Sequence, residues 1–141
     1  PNNAERYEKG YSSAWLHHKG KNKHHLEYWI DYGVGEEGGE GVAMCGMKMP
    51  IKYVAEMFID RVSASKNYQK EKYTDKSALD YYNNSKDHYM LHPDTRAMLE
   101  YLLEMLWKKG EKETFTYVKT QVLKGKVPYD KTELEILKNA L

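Results

Sequence analysis

Met98, Leu99, Leu102, Leu103 and Leu106 recur at the spacing of one helical face, and this stripe constrains the chain more than any other feature. His92-Pro93-Asp94 precedes it and Gly110 follows it, a start with proline in the first turn and a glycine stop. A helix from His92 to about Lys109 therefore presents an apolar face that other elements must cover. Ile51, Val54, Ala55, Phe58 and Val62 form a second stripe, on a helix from Pro50 to about Asn67. Tyr53, Glu56, Asp60 and Ser63 fall toward another side of it. Further helices are expected from about Asp75 to Asn84 after a Thr74 cap, and over Glu111–Lys124 closed by Gly125. A last one spans Asp130–Ala140, with Asp130 or Thr132 at its start.

Upstream, Asn3 is a candidate cap for a helix from about Ala4 to His18, with Tyr7, Tyr11, Ala14, Trp15 and His18 on one face. Gly20 and Asn22 interrupt that pattern, and a shorter helix is expected over His24–Asp31. Gly33 to Gly46 holds six glycines and reads as a surface loop or irregular hairpin. It lacks P-loop spacing, and Glu36, Glu37 and Glu40 would repel phosphate. No convincing strand pair is legible. The expected fold is all-α: one compact domain over residues 1–141, of about six helices with a Gly-rich loop.

A chain of 141 residues buries enough surface to need no disulfide or metal staple. The single cysteine, Cys45, excludes an internal disulfide and fits a reducing compartment, so the cytoplasm is the expected location. No apolar run approaches a membrane span and no signal-peptide pattern is present. Lys and Arg total 22 against 21 Asp and Glu, so no global charge argues for nucleic acid. Tyrosine (13) far outnumbers phenylalanine (2), which is compatible with a hydrogen-bonded interior or cleft as well as with ordinary boundary positions.

His17-His18 and His24-His25 place four of the six histidines within nine residues, bracketing Lys19, Gly20, Lys21, Asn22 and Lys23. Imidazole is the commonest metal ligand. On one straight helix His17 and His24 would be roughly 10 Å apart along the axis, too far for one ion. A break at Gly20 could fold one pair back on the other. A carboxylate is also needed, and Glu56 with Asp60 share a face at i, i+4; the plain alternative pairs Asp60 with Lys52 or Arg61 on the surface. Lys19, Lys21, Asn22 and Lys23 are candidate phosphate contacts, and Tyr28 a stacking wall. The plain alternative for the cluster is a solvated basic loop flanked by capping histidines. No Ser–His–Asp order, CxxC pair, dinucleotide fingerprint or His-Glu-x-x-His is present.

The segments Pro1-Asn2-Asn3-Ala4-Glu5-Arg6, Trp15 to Trp29, Met49-Pro50, Tyr53-Val54-Ala55-Glu56-Met57 and Asp60 resemble a bacterial and phage family of unknown function. The resemblance covers about residues 1–85 and is most specific over 14–32. Members usually carry an upstream histidine and a His-Asp pair, an arrangement similar to the HD-domain metal-dependent phosphohydrolases. The resemblance implies an all-helical, HD-like fold holding one or two divalent metal ions, with Asp60 as the later aspartate and His18, His24 and His25 as the extra histidines. No His-Asp dipeptide occurs in this chain. Because the resemblance begins abruptly at Pro1, the chain is read as an N-terminally truncated member, which puts its activity in question.

The functional expectation is a divalent-metal-dependent phosphohydrolase-like protein acting on a nucleotide or other phosphate ester. Its metal ligands would come from His17, His18, His24, His25 and Asp60. Glu56 would transfer a proton or orient a ligand. A phosphorylated small molecule is the expected partner, without membrane or nucleic acid. The rival expectation is a non-catalytic helical binding or structural module. A nucleic-acid contact through Lys19–Lys23 is a third reading, opposed by the balanced charge.

Overall fold

A computed structural model describes residues 2–33 and 43–141. Its helices are α1 (Asn2–Lys9), α2 (Ser13–Lys21), α3 (Ile51–Gln69), α4 (Ser77–Ser85), α5 (Pro93–Lys109), α6 (Glu111–Tyr117) and α7 (Lys131–Asn139). A π-helical turn, Val118–Val122, extends α6, and a 3-10 turn spans Leu26–Trp29. The domain is helical as expected, and α5 is its centre, touching α3, α4, α6 and α7. The α5 stripe is fully buried: Met98, Leu99, Leu102, Leu103 and Leu106 all have zero exposure. Val54, Ala55, Phe58 and Val62 of α3, Leu79 of α4, Val118 and Val122, and Leu134 of α7 close around it. Among the described residues no helix is long and apolar enough to cross a membrane.

The expected boundaries hold where caps and apolar stripes agree. His92 caps α5, its Nδ1 accepting the Asp94 N–H at 3.1 Å. Gly110 ends α5 with φ +87°, a left-handed conformation that favours glycine. Asp130 caps α7 through the Glu133 N–H.

The N-terminal third departs from expectation. The single helix over 4–18 is two, because Gly10 turns the chain at φ +83° and Ser12 starts α2 by accepting the Trp15 N–H. Tyr7 is 92% exposed, so the supposed apolar face of α1 meets no core. The expected helix over His24–Asp31 is a 3-10 turn followed by a strand. A two-stranded antiparallel sheet pairs β1 (Ile30–Tyr32) with β2 (Met44–Gly46), with Asp31 opposite Cys45; the irregular-hairpin alternative for Gly33–Gly46 allowed for it, although no strand pair was legible. Strands of three residues are too short for a period-two pattern to register. The glutamates and most glycines of the Gly-rich segment lie outside the described residues.

Tyrosine hydroxyls tie the layers together. Met49 N–H donates to Thr95 Oγ1 at 3.2 Å, and Thr95 Oγ1 lies 2.7 Å from the Tyr129 hydroxyl, which donates back to Met49 O at 2.7 Å. This closed ring joins the entry to α3, the first turn of α5 and the approach to α7. Burial pushes the Tyr129 hydroxyl up to about 12. Tyr82, fully buried, donates to Glu100 and accepts from Arg96, and burial raises it well above the ordinary phenol value.

Candidate metal centre

The site is assembled from α2, the turn after it and the outer face of α3. Glu5 fixes α2 to α1 by accepting both the Ser13 N–H and the Ser13 hydroxyl, at 2.9 and 2.8 Å. Gly20 does not break the helix. It lies inside α2, with open space where a Cβ would stand. The break falls at Asn22, whose amide donates to the His18 carbonyl at 2.7 Å and so takes up a free helix-end acceptor. His25 N–H then bonds Asn22 O, and Leu26 drops into the core. Trp29 Nε1 donates to Lys23 O at 2.6 Å and pins the turn from its far side.

That reversal brings His25 back to His18, with the two Nε2 atoms 2.8 Å apart. Trp15 packs on both rings, its centroid 5.9 Å from His18 and 5.0 Å from His25. His24 lies against α3, with Nδ1 3.8 Å from Glu56 and Nε2 3.9 Å from Asp60. Those distances are charge contacts, too long for hydrogen bonds. His24 Nε2 is buried and has no hydrogen-bond partner among the described residues. Burial lowers the His25 pKa, and His24 and His18 lower it further, against weaker opposing effects of Asp60 and Glu27. A neutral imidazole is the form that binds metal.

One donor atom from each of His24, His25 and Asp60 lies within 4.8 Å of the others. Three donors sharing one ion stand about 3.4 Å apart in tetrahedral geometry at ordinary metal–nitrogen lengths. Side-chain rotations closing about 1.4 Å would bring all three onto one ion. The two-nitrogen, one-carboxylate donor set suits a borderline transition-metal ion. His24 Nε2, buried and without a partner, is the atom that such an ion would satisfy.

His18, His24, His25, Asp60 and, through His24, Glu56 are thus drawn together. His17 is exposed, a neighbour on the helix turned about 100° from His18. Lys23 Nζ stands over the Tyr28 ring at 5.8 Å, and Tyr28 packs on Trp29. A groove of about 580 Å3 runs from His24 along α3, lined by Lys52, Glu56, Ile59, Asp60, Val118 and Leu123. None of Lys19, Lys21, Asn22, Lys23 or Tyr28 lines it. Lys52 is the cation that does. Its signal in the sequence was the run Lys52, Glu56, Asp60, Ser63 along one helix face. Trp15 was overlooked as the platform under the histidines, because a tryptophan on an amphipathic helix reads as core.

No curated protein and no solved structure matches the chain. A family model does, over residues 1–105, a span that contains the whole histidine cluster, α3 and most of α5. The chain therefore belongs to a family of unknown function, DUF5662.

Proposed function

We propose that the protein is a divalent-metal-dependent phosphohydrolase-like domain acting on a nucleotide or another phosphate ester. The observation that carries this reading is the convergence of His24, His25 and Asp60 beside an open groove. A bound ion would supply a water of lowered pKa and polarise a phosphoryl oxygen. His24, His25 and Asp60 would hold it, with His18 orienting His25 and Glu56 orienting His24. Lys52 offers the phosphate a positive charge within the groove, and Ile59, Val118 and Leu123 give an apolar wall to the rest of the molecule. The all-helical fold and the late aspartate support an HD-like relationship, while the lack of a His-Asp dipeptide makes the ligand set different in order. Balanced charge favours a small phosphorylated ligand over nucleic acid. The free thiol of Cys45 is in keeping with a reducing cytoplasm.

Metal analysis of protein washed free of loose ions, followed by phosphate release from nucleotides and aryl phosphates with added Mn2+, Co2+ or Zn2+, tests the reading. Stoichiometric metal and metal-dependent release are expected. Absence of metal binding in both the washed and the reloaded protein would refute it. A second reading, a non-catalytic helical module, draws on the His18–His25 contact and the Trp15 packing, which hold the histidines together through side-chain contacts alone. In that case His24→Ala changes stability and leaves no metal-dependent property to lose.

A further inference from the structure

Away from the histidines, α3 and α4 enclose a second pocket of about 300 Å3, lined by Arg61, Ser65, Tyr68, Gln69, Ser77 and Tyr81. Arg61 is its charged group. The guanidinium carbon stands 4.7 Å from the Tyr89 ring centroid and 5.9 Å from that of Tyr82. Its Nε is buried and has no hydrogen-bond partner among the described residues. None of the ion pairs among the described residues engages it. Guanidinium remains charged at any physiological pH, and a cation–π contact uses only its face. The N–H donors in its plane are the fork that a carboxylate or phosphate takes up in bidentate fashion. Arg96, by contrast, spends its donors on the Tyr82 hydroxyl and on the Lys86 and Tyr89 carbonyls. Two arginines near the same tyrosine pair thus differ: one is a brace and the other has donors left over.

The remaining walls fit a flat ligand. Tyr68 and Tyr81 are 86% and 65% exposed, large rings that the core does not use. Ala64 and Ala78, which also line the pocket, have side chains too small to fill the space beside them. A volume of this size lies at the small end of ligand pockets and suits one ring rather than a dinucleotide.

We infer that this pocket binds a small planar ring bearing one anionic group, a carboxylate or a phosphate, with Arg61 on the anion and Tyr68 and Tyr81 on the ring. The inference is independent of the metal reading. Calorimetric titration of the whole chain with benzoate, phenyl phosphate and uncharged benzamide tests it, in EDTA so that a cation at His24 plays no part. Binding of at least one anion is expected, with benzamide at least tenfold weaker. Arg61→Lys keeps the charge and loses the fork, and should weaken the anion at least tenfold. Tyr81→Ala alters an exposed side chain and should weaken it about fivefold with the melting temperature unchanged, which keeps the test decisive if the arginine variant folds poorly. Phenyl phosphate binding without benzoate assigns the anion as phosphate, and the reverse assigns a carboxylate. Equal affinity for benzamide, no binding of either anion, or undiminished binding by Tyr81→Ala would overturn the inference.

Discussion

The Nε2 atoms of His18 and His25 lie 2.8 Å apart, although seven residues separate them in the chain. One ring must be the neutral acceptor for this contact to be a hydrogen bond. In the proposed site this contact orients His25 beside His24 and Asp60. A cation bound here would stabilise the folded chain by mass action. At a hundred times its dissociation constant, Mn2+ or Zn2+ should raise the melting temperature by about 10 °C. His24→Ala and Asp60→Asn should each remove most of that shift. A shift of unchanged size in both variants would place the ion elsewhere.

Gly46 packs directly on the backbone before α5. A Cβ there would stand 2.3 Å from Met90 O and 2.7 Å from His92 N. Neither neighbour is a flexible side-chain end, so the clash must be relieved by moving the sheet or the α5 entry. Gly46→Ala should cost about 2–3 kcal/mol in urea unfolding, whereas Gly20→Ala, with open space at its Cβ, should be neutral or stabilising.

Removing the Tyr129 hydroxyl opens the ring that joins Met49, Thr95 and Tyr129. Tyr129→Phe leaves the Met49 carbonyl and the buried Thr95 hydroxyl each short of a partner. A loss of about 1–3 kcal/mol is expected, read by chemical denaturation. A neutral result would show that water or a local rearrangement replaces the hydroxyl.

Asp94 links three segments: it accepts the Lys131 N–H at 2.8 Å and pairs with Lys48 at 3.1 Å. The Lys131 hydrogen bond holds its carboxyl below the ordinary value of 3.8; burial opposes it, and Lys48 and His92 add to the lowering. A depressed carboxylate contributes stability that is present above the unfolded pKa and is lost as pH falls through the folded one. Asp94→Asn should therefore cost about 1 kcal/mol near neutrality. The gap between variant and parent should close between about pH 5 and pH 2. A gap that persists at the acid end would show that the amide disturbs packing instead.

α3 and α5 could be read in the chain because each carries its own apolar stripe, and the Gly110 stop and the Asp130 cap mark where α5 ends and α7 begins. Such signals act within a few residues and survive any tertiary arrangement. In the N-terminal third the same kinds of signal misled: Asn3 lies inside α1 rather than capping it, and Tyr7 meets no core. Gly10 and Gly20 look alike in the sequence, yet only Gly10 adopts positive φ, while Gly20 stays within α2. The sheet pairs residues twelve to sixteen apart over only three positions per strand, too little for an alternating pattern to emerge.

The candidate site divides along the same line. Residue types and helical spacing alone determined that four histidines cluster within nine residues, and that Glu56 and Asp60 stand on one face of a helix as the carboxylates an ion there would need. Which histidines converge was decided only in three dimensions. Leu26 is drawn into the core and Asn22 caps α2, so the chain reverses between them; His24 is set on α3, His25 is returned to His18, and His17 is left in solvent. The burial of Leu26 acts with the Asn22 cap and the Trp29–Lys23 hydrogen bond to set that geometry, and the depth to which a side chain is buried depends on helices far along the chain.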